Sequence, residues 1–300
     1  METKKNPQLI AILQALLVTV LWSTSWVLIV IGLEDIPALT FAGLRYTLAF
    51  VALLPFFLRN KRATPLRELN RSDWLWLLAL GLVYYTITQG TQFVTLQFLP
   101  TITFSLLLNF SAVFVALLGI PFLNERPTAL QWLGIGVFIA GVLVYFYPVI
   151  IPAGLFFGFL MATIHILSNS AASILGRFVN RGGKLHPLTV TVVSMGIGSL
   201  VLLGTGIVVE GVPVLDWRGW AIVIWLAIVN TAFAFTLWNH TLRTLSATQS
   251  SMINNTMLVQ IAILAWIFLG ERITGMEAVG LAIALVGSLM VTLRRETGSP

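Results

Sequence analysis

The sequence predicts an all-α membrane protein: ten transmembrane helices, arranged as two inverted five-helix repeats, with both termini in the cytoplasm. Three observations predict it. Hydrophobic residues make up 58% of the chain and charged residues only 9%, against about 25% charged in a soluble domain, so these residues cannot cover a water-facing surface. Apolar stretches near the roughly 20 residues that cross a hydrocarbon core about 30 Å thick recur ten times along the 300 residues. Finally, FLNERPT at 122–128 returns as FLGERIT at 268–274, an offset of 146.

The first span, 9–31, follows Lys4 and Lys5. Its apolar core is too long for a signal peptide and no small-residue cleavage site follows, so it reads as an uncleaved helix. Span two, 39–58, carries Arg45, and Pro55 falls where it would bend the inner end. The hydrophilic loop 59–72 leads to span three, 73–91. Span four, 100–122, opens at Pro100, a residue suited to helix starts because it brings no N–H. FLNERPT then turns the chain into span five, 129–148. Span six, 152–176, opens at Pro152, and the second hydrophilic loop, 177–186, precedes span seven, 187–208. Span eight is 218–240 and span nine 246–269. FLGERIT turns the chain into span ten, 275–293. The connections are short, as one compact bundle requires, and no soluble domain or low-complexity linker interrupts them.

Lys and Arg set the orientation. With the N-terminus inside, the cytoplasmic ends collect Lys4, Lys5, Arg59, Lys61, Arg62, Arg67, Arg71, Arg126, Arg177, Arg181, Lys184, Arg243, Arg294 and Arg295, fourteen of the 17 basic residues. Arg218 and Arg272 fall outside and Arg45 lies within span two. The outer loops hold Glu34, Asp35, Glu210, Asp216 and Glu271. One miscounted helix would scramble this bias.

The offset of 146 also matches Leu99 with Leu245, Asn109 with Asn255, Gly134 with Gly280 and Gly141 with Gly287. The chain therefore divides into a first five-helix repeat, 1–148, and a second, 149–300, which ends in a short cytoplasmic tail. Five is odd, so the second copy enters the membrane from the opposite side. Inverted repeats offer two nearly equivalent packings around a midplane site, the basis of alternating access. The repeated hairpin reads as a polar turn, with Glu125 and Arg126 paired or solvated at the interface.

The segments Trp22-Ser-Thr-Ser-Trp26 and Leu39-Thr-Phe-Ala-Gly-Leu-Arg45-Tyr46 stand in the first repeat. With the paired LNER and LGER turns and the glycines Gly134, Gly136 and Gly141, the chain resembles the EamA-type transporters of the drug/metabolite transporter superfamily over almost its whole length. The resemblance implies ten helices, inverted repeats, a central cavity, and export or exchange of small metabolites, with aromatic and other amino acids among the substrate classes.

In hydrocarbon an ionisable side chain is a functional candidate. Every Asp and Glu maps to a loop or helix end, which weighs against a carboxylate-driven proton antiporter of the small multidrug type. His165, near the middle of span six, reads as a proton relay, a substrate contact or a neutral histidine bonded within the bundle. Arg45 either snorkels outward or binds a substrate carboxylate. Asn109, Asn254 and Asn255 either hold substrate through their amides or join helices. Trp22, Ser25 and Trp26 in span one, Tyr84, Tyr85 and Gln89 in span three, and Trp238 in span eight complete the candidate cavity, apolar with a few placed polar groups. Trp74, Trp76, Trp132, Trp217 and Trp220 read as interface belts. The glycines of spans five, seven and ten read as close helix contacts.

There is no cysteine, hence no disulfide or thiolate site. Three scattered histidines predict no metal site, no P-loop motif supports ATP-driven transport, and no deep acid set supports an enzyme. No cofactor is expected. The partners are a small solute and the lipid bilayer, not nucleic acid, although the formal charge is +6. A monomer in a prokaryotic plasma membrane is expected. The function predicted is secondary transport, exporting or exchanging a small amphipathic, amino-acid-like metabolite by alternating access. A uniporter, an exporter of drugs, nucleosides or sugars, and a lipid scramblase stay open as alternatives.

Overall fold

The computed structural model describes residues 7–123, 127–148, 152–181, 185–242, 244–245 and 247–292, and every regular element among them is helical. In chain order these are α1 (Pro7–Gly32), α2 (Ala38–Arg59), α3 (Arg71–Leu80), α4 (Gln89–Phe98), α5 (Thr101–Leu108), α6 (Phe110–Leu123), α7 (Ala129–Tyr145), α8 (Phe156–Arg181), α9 (Pro187–Glu210), α10 (Trp217–Ala227), α11 (Ala234–Thr241), α12 (Ala247–Asn255), α13 (Met257–Phe268) and α14 (Gly275–Thr292). Two π-helical segments join α3 to α4 (Gly81–Thr88) and α10 to α11 (Ile228–Phe233). Asn124, Glu125 and Arg126 of the first hairpin, with Lys4, Lys5, Lys184, Arg243, Arg294 and Arg295, lie outside the described residues.

Among the described residues seven helical runs are long and apolar enough to cross a bilayer: Gln8–Gly32, Ala38–Arg59, Thr101–Leu118, Ala153–Asn180, Pro187–Glu210, Trp217–Trp238 and Gly275–Thr292. Ala129–Tyr145 and Met252–Phe268 are shorter apolar helices, at the positions of spans five and nine. The third span is helical from Arg71 to Phe98 but is less apolar than these, because Thr86, Thr88, Gln89, Thr91, Gln92, Thr95 and Gln97 crowd its second half.

The helices gather into two compact units, each drawing on both sequence halves. The first unit holds residues 1–27, 100–153 and 234–300, and the second holds 28–99 and 154–233.

In the first unit, α7 packs on α14 through glycine. A Cβ on Gly141 would lie 2.3 Å from Ala284 N, and one on Gly280 would lie 2.4 Å from Tyr145 N, so only hydrogen fits. Gly134 meets the Gly287 carbonyl and Gly141 the Gly280 carbonyl. Early residues of one helix meet late residues of the other, so the two run antiparallel. Exchanging residues at the offset of 146 turns the first contact into the second, which makes the surface self-complementary. Small residues let backbones approach where lipid supplies no hydrophobic drive. Gly136 behaves otherwise: no described atom lies within 4 Å of the space beside it, so it is not a helix contact. Ile102, Leu106, Phe138, Leu258, Ala265 and Ala284 fill the core alongside.

The FLGERIT turn is built from three of its residues. Gly270 takes φ +68°, a conformation in which a Cβ is strained. The Glu271 carboxylate accepts from Thr101 N (2.7 Å) and Ile102 N (2.9 Å), so it is bonded at the start of α5 rather than solvated. Thr274 and Glu277 form reciprocal bonds at the start of α14, as Thr128 and Gln131 do at the start of α7, the capping-box pattern that satisfies first-turn N–H groups.

In the second unit, α2 packs on α9, again antiparallel. Gly43 meets Leu203, Gly206 meets Thr40, and Gly196 lies under the Phe50 ring. Glu210, at the end of α9, accepts from Leu39 N (3.0 Å), Thr40 N (2.9 Å) and Thr40 Oγ1 (3.0 Å), placing negative charge where the α2 dipole favours it. Gly81 lies against the Ser194 carbonyl and Gly198 against that of Gly81, seating the first π segment on α9. Trp74, Trp76, Trp132, Trp217 and Trp220 are exposed near the starts of their helices.

Candidate functional site

In the second unit the buried side chains of Arg45, Thr88, His165 and Thr231 meet at the two π segments. A π turn inserts a residue into the α-helical ladder and frees carbonyls for other donors. Thr88 Oγ1 donates to Val83 O and Thr231 Oγ1 to Leu226 O, each over 2.8 Å and each five residues back. An α-helical threonine reaches only three or four back. Residues 228–233 map to 82–87 at the repeat offset, so the two segments occupy corresponding places in the two halves.

The threonines hold two of the deep titratable side chains. Arg45 Nε donates to Thr231 Oγ1 over 3.1 Å. His165 Nδ1 lies 2.8 Å from Thr88 O. A carbonyl only accepts, so Nδ1 carries the proton. Thr88 Oγ1 also sits 2.9 Å from Ser168 Oγ.

Arg45 is 4% exposed. Its Cζ lies 5.1 Å from the Tyr46 ring centroid and 6.0 Å from that of Phe93, within cation–π range. The Tyr46 hydroxyl donates to Gln89 Oε1. Tyr85 meets Tyr46 edge-on at 5.9 Å and Tyr84 at 4.8 Å. Among the described residues no carboxylate pairs with Arg45. This unit thus brings Arg45, Tyr84, Tyr85 and Gln89 together, and it adds Tyr46 and Thr231, which the sequence reading did not single out. Tyr46 was visible as the neighbour of Arg45. Thr231 was not, because its bond depends on the π segment.

The first unit holds the other candidates. Trp22 lies between Phe235 and Trp238, each with its ring centroid at 5.3 Å, and its buried Nε1 has no hydrogen-bond partner among the described residues. Trp26 packs on Phe104 at 5.0 Å. Ser25 is folded back on its own helix, donating to Trp22 O over 2.8 Å. Asn109 accepts from Ser288 Oγ (3.0 Å) and donates to Ser105 O (2.8 Å), and Asn255 donates to Thr292 Oγ1 (2.9 Å). Both asparagines therefore hold the helix breaks at 109 and 256 onto α14. Asn254 is exposed and joins neither group. Gln260 is a further polar anchor: it accepts from Ser23 Oγ (3.0 Å) and donates to Thr19 Oγ1 (3.2 Å) and Thr256 Oγ1 (2.9 Å). A single glutamine within the apolar run 257–268 was the signal for it.

Residues 9–147 and 149–293 each match the EamA-like transporter family. The chain is 27% identical over 286 residues to an uncharacterized transporter, YoaV, of Bacillus subtilis, covering 92% of this chain and 94% of that one. It is 26% identical over 284 residues to a probable amino-acid metabolite efflux pump of Escherichia coli, covering 91% of each. A solved crystal structure superposes with a TM-score of 0.64 at 18% identity, over 94% of this chain and 96% of that one, a likeness of fold.

Proposed function

We propose, for a chain that belongs to the EamA-like transporter family, that this multi-pass membrane transporter exports or exchanges a small amphipathic, carboxylate-bearing metabolite of amino-acid-like size. The observation that carries the substrate reading is Arg45: a buried cation among aromatic rings and neutral hydrogen-bonding groups, with no described carboxylate of its own. A relative named an amino-acid metabolite efflux pump supports the same class.

The antiparallel packing of α2 on α9 and of α7 on α14 supports two inverted repeats and, through them, alternating access. In this reading the chain crosses the membrane ten times with both termini in the cytoplasm. It works as a monomer, and it resides in a prokaryotic plasma membrane.

The test is uptake by proteoliposomes of the purified protein, offered labelled amino acids, organic acids, nucleosides, sugars and drugs, with and without a pH gradient. Saturable uptake of one class supports the reading. Uptake that follows an imposed pH gradient would bring His165 into the transport cycle. No uptake of any solute would overturn transport of a small metabolite.

A further inference from the structure

We propose that the Arg45 site carries a carboxylate monoanion that lacks an ammonium group, such as a 2-oxo acid or an aryl carboxylate, in preference to a zwitterionic amino acid. This rests on the transporter reading and narrows its substrate.

A guanidinium stays protonated in proteins, and this one is 4% exposed inside an apolar helix. Its described contacts are Thr231, Tyr46 and Phe93, and the next groups out are Gln89 and Tyr85. All of them are neutral. A buried ion without a counter-charge is costly, and removing its charge by pairing relieves that cost. A monoanion seated on Arg45 makes the pair neutral. A zwitterion leaves the site with the same net charge it had when empty.

The acids of the unit are elsewhere. Glu34, Asp35, Glu68, Asp73 and Asp216 lie in loops or at helix starts. Glu210 spends both carboxylate oxygens on Leu39 and Thr40. No described carboxylate therefore stands at Arg45 to receive an ammonium group. The fork of the guanidinium suits a carboxylate for the opposite reason: with Nε on Thr231, the terminal N–H groups stay available in the planar arrangement that binds two oxygens.

The experiment uses phenylpyruvate and phenylalanine, which share a ring and a carboxylate and differ in an oxo or an ammonium group. Wild type, Arg45→Gln and Arg45→Lys are reconstituted in liposomes, and uptake of each labelled compound is measured with the melting temperature of each variant. Wild type is expected to half-saturate with phenylpyruvate at a concentration about tenfold or more below that for phenylalanine. R45Q is expected to lose that preference and R45K to keep part of it. Should R45Q not fold, the ratio in R45K and in Thr231→Val carries the test.

Equal or better transport of phenylalanine overturns the proposal and leaves the transporter reading standing. So does a ratio unchanged by R45Q, which would make Arg45 a structural group. If another solute moves and neither probe does, its charge decides: an anion supports the proposal, a neutral solute, a zwitterion or a cation overturns it. If nothing moves, both readings fall.

Discussion

Arg45 Nε lies 3.1 Å from Thr231 Oγ1, and that hydroxyl donates onward to Leu226 O, 2.8 Å away and five residues back. One hydroxyl accepts from a cation and donates to a carbonyl five residues back. Thr231→Val keeps the shape and removes both bonds. A hydrogen bond to a charged group contributes about 1.5–3 kcal/mol, so proteoliposome uptake is expected to fall about ten- to a hundredfold, with Thr231→Ser largely restoring it. Full activity in T231V would show that Arg45 is positioned by its aromatic neighbours alone.

His165 tests the tautomer. Its Nδ1–H donates to Thr88 O, and an asparagine amide nitrogen sits close to where Nδ1 does. His165→Asn should therefore keep the melting temperature near wild type. His165→Leu removes this donor, leaves Thr88 O with Thr91 Oγ1 at 3.1 Å, and should cost about 0.5–1.5 kcal/mol. A leucine variant as stable as the asparagine one would refute the bond's importance.

The glycines separate by what they face. Gly141→Ala puts a methyl 2.3 Å from Ala284 N and should cost about 1–3 kcal/mol through overpacking. Gly136 has open space beside it, so Gly136→Ala should be neutral or stabilising by up to about 1 kcal/mol. Thermal denaturation in detergent ranks the two variants, and the reverse order would contradict the α7–α14 packing.

Glu271 binds two first-turn N–H groups of α5. Glu271→Ala should cost about 1–2 kcal/mol, as loss of a helix cap does, and Glu271→Gln less, since its amide oxygen still accepts. The same denaturation assay reads both, and an alanine variant with wild-type stability would mean that water replaces the carboxylate without loss.

Much of this was legible in the sequence because hydropathy and small-residue spacing are local signals. Gly134, Gly141, Gly280 and Gly287 announced a close helix contact by position alone, and Arg45 announced itself as a charge in hydrocarbon. Glu271 was legible as a repeated residue but not as a cap, since its partners are 170 residues away. The π segments left no trace: GLVYYTIT and IVNTAF share no motif, and both arise where tertiary packing on a neighbouring helix overrides local preference. Asn109 and Asn255 were placed as a pair by the repeat. That both would reach for α14 could not be read from either, because a strict exchange of halves would have sent one of them to α7.

The glycine surface between α7 and α14 has an evolutionary reading. A self-complementary face is what two separate copies of one short protein present to each other, and here both copies of that face are supplied by a single polypeptide and used up on one another. A half-length protein would need a second molecule, its helix antiparallel to the first, to cover the same glycines. In a single chain that encounter is intramolecular: the mate is always present and in the right orientation, and each copy is free to drift in sequence. Arg45 stands in one half and His165 in the other, with neither repeated, which is the divergence that a single chain permits.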